Sequence, residues 1–299
     1  MTNRTRALFA LLLMSLMWGY GWASLKIGVQ DAEPFTFAAL RTGISAVSLL
    51  ILLRLMGRPF WPTRIPELVC LALVQTAGLF TLSTSAIAAG SVGRVAFLVY
   101  TMPFYTLIFA WPLLGERVRG LQWLAIALAA LGLMGLVQPW HLHGSLRGNL
   151  LALGAGVAWS VGAIMIKRIQ QRAPMDLIAL TAWQMVFGAI PMIGLAMVMP
   201  EAPINWTPRF IGVLLFTSVI ITAIGWLLWT YALSHLEAGT ASLATLLSPV
   251  IATISAHLHF GERPGGLELG GMACIALALA VLSVHGMRET RRSRAATRD

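Results

Sequence analysis

The sequence predicts an all-α integral membrane protein: ten transmembrane helices arranged as two inverted five-helix repeats, with both termini on the cytoplasmic side. Three observations predict it. Of 299 residues, 58% are hydrophobic and 11% charged, and the mean hydropathy is +0.79, a composition suited to lipid as the solvent. Apolar runs of about 20 residues, enough to cross a bilayer, follow one another almost without interruption. The chain also repeats itself. Trp18, Gly21 and Lys26 recur 141 positions later as Trp159, Gly162 and Lys167, and Pro103 with Gly115, Glu116 and Arg117 recurs 146 positions later as Pro249 with Gly261, Glu262 and Arg263. Five spans per copy is an odd number, so the second copy starts on the opposite face, the plan of many carriers.

Gly, Pro and charge punctuation places spans near 7–29, 35–53, 67–89, 93–114 and 119–138 in the first copy, and near 148–166, 175–199, 209–232, 239–259 and 266–286 in the second. The first run continues past Trp18 and Trp22 and has no clear small-residue cleavage site, so it reads as a retained span rather than a secretory signal. The fourth and ninth carry Pro103 and Pro249, each of which removes a helical hydrogen bond and frees a carbonyl one turn earlier, near Val99 and Thr245. Glu116 and Glu262 precede new spans, where a negative charge favours the N-terminus of the helix that follows. The units are thus residues 1–143, the first repeat; 144–287, the second; and 288–299, a basic cytoplasmic tail.

Cytoplasmic loops carry an excess of Lys and Arg. One side holds Arg4 and Arg6, then Arg54, Arg58 and Arg64, then Arg117 and Arg119, then Lys167, Arg168 and Arg172, then Arg288, Arg291, Arg292, Arg294 and Arg298, fifteen in all; the other holds Arg94, Arg147, Arg209 and Arg263. That asymmetry places both ends inside. The formal charge of +10 is therefore explained by orientation and by anionic lipid at the cytoplasmic face, and no nucleic-acid partner is expected. Cys70 and Cys274 both fall in apolar runs, where thiols pack as small hydrophobes, so neither a disulfide nor a metal site is expected, and no cofactor.

An inverted repeat binds its solute near mid-bilayer between the halves, where helices are interrupted. The candidate substrate-binding residues are the aromatic and neutral hydrogen-bonding groups at that depth: Trp18, Trp22, Gln75, Tyr100, Tyr105, Trp159, Ser160, Thr222, Trp226 and Ser248. Pro103, Pro249, Gly93 and Gly239 are the candidate hinge or gating positions, although prolines are tolerated in membrane helices without function and these glycines equally suit close helix packing. Trp61, Trp140 and Trp206 lie in loops and fit the interfacial belt; Trp18, Trp159 and Trp226 fall mid-span, where an indole N–H wants a partner. Lys26 and Arg41 lie within a turn or two of the outer surface. Snorkelling to the headgroups explains them; an electropositive vestibule for a carboxylate is the alternative.

No Asp or Glu falls in the central part of any span, and His257, His259 and His285 lie near span ends. A proton relay through a buried carboxylate is thereby disfavoured, and facilitated movement or exchange becomes the expected mechanism. An intramembrane enzyme would need a carboxylate pair, a Ser and His at one depth, or a metal cluster, none of which is visible, so the chain is not expected to be an enzyme.

The run from Gly239 to Pro249, followed by Gly261, Glu262 and Arg263 and a last span rich in Ala, Leu and Gly, resembles the second repeat of EamA-type transporters of the drug/metabolite transporter superfamily. Pro103, Gly115, Glu116 and the helix to Val137 give the first copy the same frame, although Arg94, Phe97, Tyr100 and Tyr105 depart from the family's small-residue pattern there. By overall similarity the chain resembles the YddG-type branch of bacterial inner-membrane amino-acid exporters. The resemblance implies a central cavity lined by both halves, alternating access, and small neutral or aromatic amino acids and related metabolites as the small-molecule substrates. A multidrug or cationic-drug exporter of the same fold is the alternative.

Overall fold

The protein is described from a computed structural model, in which residues 3–89, 92–141, 145–199, 201–260 and 264–296 are defined. An apolar chain in lipid must satisfy its backbone hydrogen bonds within each segment, which favours helices, and the described residues form helices with no strand. In order these are α1 (Asn3–Gly28), α2 (Pro34–Leu55), α3 (Ile65–Leu71) running through a π-helical stretch (Ala72–Gly78) into α4 (Leu79–Ala89), α5 (Val92–Val99), α6 (Met102–Leu114) and α7 (Leu121–Val137). The second half continues with α8 (Leu146–Arg172), α9 (Leu177–Val198), α10 (Pro208–Leu215) running through a second π-helical stretch (Phe216–Ile224) into α11 (Gly225–His235), then α12 (Ala238–Ala244), α13 (Leu247–Phe260) and α14 (Gly266–Ala296). Among the described residues seven stretches, from Pro34–Leu55 to Ala238–Ser255, are long and apolar enough to cross a membrane, and Leu121–Val137 and Gly266–Leu282 are shorter apolar helices.

The irregularities come in pairs. Each half has one π-helical stretch, and each has one helix broken just ahead of its proline, at Tyr100–Thr101 before Pro103 and at Thr245–Leu246 before Pro249. At both breaks the backbone tightens to bonds spanning three residues, Thr101 N–H to the Leu98 carbonyl at 3.3 Å and Thr245 N–H to the Ser242 carbonyl at 3.1 Å. The threonine hydroxyls donate to the same two carbonyls.

Packing is paired too. The contact of α1 with α13 has its counterpart in α8 with α6, and that of α4 with α8 in α1 with α11, while α7 with α14 and α2 with α9 join like to like across the halves. The α7–α14 contact is close because both helices present glycine: a Cβ on Gly132 would lie 2.8 Å from the Gly271 carbonyl oxygen, the small-residue contact that membrane helices favour.

Contacts between connecting segments fall into two groups. In one, Asp31 pairs with Asn205 at 3.0 Å, Glu201 accepts the Phe35 and Thr36 amides at 2.9 and 2.7 Å, and the Ser145 hydroxyl donates to the Ala89 carbonyl at 2.7 Å. In the other, Arg64 donates to the Ile169 and Ala173 carbonyls, Arg58 meets Asp176 at 3.5 Å, and Lys167 meets Glu116 at 2.7 Å.

Three sequence expectations change. Lys167, Arg168 and Arg172 sit on α8 itself rather than in a loop, since Lys, Arg and Gln are good helix formers and cations suit a helix C-terminus. The last helix likewise runs past residue 286 into the arginine-rich tail, to Ala296. Arg41 does not snorkel: it is 7% exposed and turned inward.

Candidate functional site

Four tryptophans from three helices meet at the centre. Trp18 of α1 lies 5.2 Å, centroid to centroid, from Trp159 of α8 in an edge-to-face contact and 6.4 Å from both Trp226 and Trp229 of α11. Trp159 is 5.4 Å from Trp226 and 5.0 Å from Trp229, within the range of favourable aromatic pairs. Local sequence makes this possible. Trp226 and Trp229 are three apart and share a helix face, and Gly225 lets Trp18 approach, because a Cβ there would fall 2.4 Å from the Trp18 Nε1.

The indoles differ in how their N–H groups are used. Trp18 Nε1 donates to the Ile221 carbonyl at 3.0 Å, inside the second π-helical stretch. The Nε1 atoms of Trp159 and Trp229 are buried without a partner among the described residues. A buried unpaired donor is costly, and these two lie on rings 5.0 Å apart.

A polar girdle lies beside the rings. Gln184 Nε2 donates to Gln75 Oε1 at 2.9 Å and to Thr76 Oγ1 at 3.2 Å, and Gln75 Nε2 donates to the Trp159 carbonyl at 3.4 Å. Gly162 makes room for it, since a Cβ there would lie 2.3 Å from the Gln75 side chain. Ser160 donates to the Met102 carbonyl at 2.7 Å, tying α8 to the helix break ahead of Pro103. Ser248, beside Pro249, is buried with a hydroxyl that has no partner among the described residues.

The structure thus brings together Trp18, Trp159, Trp226, Gln75 and Ser160. Thr222 spends its hydroxyl on the Thr217 carbonyl at 2.8 Å within its own helix. The Tyr105 ring packs on Gly156 of α8, and Tyr100 is buried at the α5–α6 break. The Trp22 and Lys26 side chains, Gly90, Glu262 and the surroundings of Gly93 lie outside the described residues. Trp229, Phe80, Thr76 and Gln184 extend the cluster but were not among the candidate substrate-binding residues, and Arg41, expected either to snorkel or to form an electropositive vestibule, lies against Phe80; the spacing of Trp229 from Trp226 and the mid-span position of Gln184 were the signals available.

The two halves are tied together at the ends of α6 and α8. Lys167 Nζ sits 2.7 Å from Glu116 Oε1, with the two side chains only 13% and 15% exposed, and Lys167 also donates to the Leu236 carbonyl. The other Glu116 oxygen accepts the Ala238 and Gly239 amides at 2.7 and 3.4 Å. Glu116 therefore caps a helix N-terminus, as its charge favours, but that of α12 in the second half and not that of the helix following it. Gly239 belongs to this contact: a Cβ there would lie 2.4 Å from Leu107.

The model of the EamA-like transporter family matches this sequence twice, over residues 5–138 and 146–284. The chain belongs to the EamA-like transporter family. It is 24% identical to the uncharacterized transporter YoaV of Bacillus subtilis, over 86% of this chain and 90% of that protein. It is 27% identical to a probable amino-acid metabolite efflux pump of Salmonella typhimurium, over 96% and 97%, and 27% identical to the uncharacterized inner membrane transporter YedA of Escherichia coli, over 92% and 88%. A solved crystal structure shares the fold, with a TM-score of 0.84 over 95% of this chain and 98% of that one at 17% identity. As an EamA-like family member the protein is a multi-pass membrane transporter of small molecules, and it stands among transporters rather than enzymes.

Proposed function

We propose that this transporter exports small neutral or aromatic amino acids and related metabolites across a bacterial inner membrane by alternating access. The observation that carries this reading is the tryptophan cluster, to which both halves contribute and which holds two buried indole N–H groups without partners among the described residues. Flat apolar faces with a few unspent donors suit a solute with an apolar side chain and a polar head. The name of the Salmonella relative, a probable amino-acid metabolite efflux pump, supports the substrate class.

The architecture proposed with it is ten spans in two inverted repeats, residues 1–143 and 144–287, with residues 288–299 as a cytoplasmic tail and both termini inside. Two sets of loop contacts support it, because each joins only segments that this topology assigns to one face. The paired breaks before Pro103 and Pro249, with Gly93 and Gly239, are the proposed hinges and gates. Movement is facilitative: among the described residues no carboxylate is as buried as Arg41, and Glu116, at 15% exposed, is held in its ion pair with Lys167, so a carboxylate relay has no free candidate there. The cytoplasmic surface, rich in Lys and Arg, rests on anionic lipid.

A cationic-drug exporter is the second reading, favoured by the indole faces, which attract cations. Proteoliposomes distinguish the two. Loaded with labelled phenylalanine, leucine or a quaternary ammonium dye, they are expected to release the amino acids and retain the dye. Release of the dye alone transfers the assignment to the second reading, and release of none removes both.

A further inference from the structure

Arg41 lies on the eighth residue of α2 (Pro34–Leu55), close enough to the helix end to reach the headgroups, yet it is 7% exposed. Its guanidinium carbon instead sits 4.6 Å from the centroid of Phe80. Phe80 is 6.1 Å from Trp226, and Trp226 is 5.4 Å from Trp159, so one aromatic ring separates the guanidinium from the tryptophan cluster. The helix is fixed in this orientation by Ser45, whose hydroxyl donates to the Ser218 carbonyl at 2.7 Å.

Among the described residues no carboxylate pairs with Arg41, and its Nε has no hydrogen-bond partner. A buried cation without a counter-charge is expensive, and the face of one phenylalanine returns only part of that cost. An arginine fork is shaped to receive two oxygens of one carboxylate.

We propose that Arg41 is the anchor for the carboxylate of the transported solute. This rests on the reading of the tryptophan cluster as the substrate passage and adds the group that selects the head of the substrate. The carboxylate engages the guanidinium while the apolar side chain lies along the ring faces of Phe80 and Trp226. A fixed positive charge at this point also repels amines and permanently charged cations, which gives the passage a repulsive as well as an attractive element of specificity. Arg41 lies toward the Pro34 end of α2, the outer end in the proposed topology, so on export the carboxylate is the last part of the solute held.

Three probes test this: phenylalanine, its amide, and 3-phenylpropionate, which keeps the ring and carboxylate but lacks the amine. Binding is read from quenching of intrinsic tryptophan fluorescence in the purified protein, and flux from proteoliposomes. The wild type is expected to bind phenylalanine and 3-phenylpropionate at least tenfold more tightly than the amide. Arg41→Gln is expected to lose at least tenfold for the two carboxylates and less than twofold for the amide. Arg41→Lys, which keeps the charge but not the fork, is expected to lose at least threefold of the carboxylate preference, and it decides the matter if Arg41→Gln does not fold. Equal loss for carboxylates and amide, or an unchanged preference in Arg41→Lys, overturns the proposal. Amino-acid flux without any carboxylate preference removes the anchor and keeps the exporter, whereas Arg41-dependent binding of 3-phenylpropionate without amino-acid flux keeps the anchor and removes the exporter.

Discussion

Replacing Glu116 with Gln should open the mouth at the α6 and α8 ends. The carboxylate has two charge-dependent tasks there, the ion pair with Lys167 at 2.7 Å and the hydrogen bond from the Ala238 amide at 2.7 Å. Both side chains of the ion pair are more than four-fifths buried, at 13% and 15% exposed. Stripping one partner from a buried pair costs about 3 kcal/mol at the low end, because the other charge stays behind unpaired. If the pair forms only in the closed arrangement, that loss falls on the closed state, and at about 1.4 kcal/mol per tenfold the open population rises about 100-fold. Leu243 reports it, being 2% exposed and part of the wall of the small cavity shared with Glu116 and Gly239. A Leu243→Cys reporter in a Cys70→Ser, Cys274→Ser background is expected to react with an impermeant maleimide about 100-fold faster when Glu116 is Gln, from the cytoplasmic side. Exchanging the charges, Glu116→Lys with Lys167→Glu, is expected to return part of the protection. An unchanged labelling rate in Glu116→Gln refutes the clamp.

Three further outcomes are expected. Alanine at Trp18, Trp159 or Trp226 should lower solute flux at least tenfold in proteoliposomes while leaving membrane insertion and helical circular dichroism intact, and unchanged kinetics in all three contradicts the site. Gly162→Ala drives a Cβ to 2.3 Å from Gln75, whereas Gly194 faces open space; overpacking of about 1–3 kcal/mol should lower the thermal midpoint in detergent for the first and not for Gly194→Ala. A protonophore should leave the direction and rate of amino-acid exchange unchanged, and collapse of flux on its addition would overturn the facilitative mechanism.

Much of this was legible in the sequence because lipid simplifies the problem. Helix is the default for a long apolar run, and the duplication supplied an internal ruler that matched Trp18 to Trp159 and Pro103 to Pro249. The central tryptophans were readable for the same reason, since an indole far from the interface is unusual. What escaped was partnership across the duplication. Nothing in the neighbourhood of Glu116 says that its carboxylate will meet Lys167 and the start of α12, more than fifty and a hundred residues away. Arg41 was left between two readings: its distance along α2 permits either snorkelling or burial, and only the placement of Phe80 beneath it decides. Trp229 was one helix turn from a chosen residue and shares its face.

The most direct test is the sidedness of the loops. Single cysteines at Trp61, Val118, Ala173 and Arg298 are predicted to be shielded from an impermeant reagent in intact cells, and cysteines at Asp31, Trp140 and Asn205 are predicted to be labelled. Reaction at Arg298 from outside with Trp61 still shielded, or labelling of Asp31 and Asn205 from opposite faces, contradicts the inverted pair of five-helix bundles.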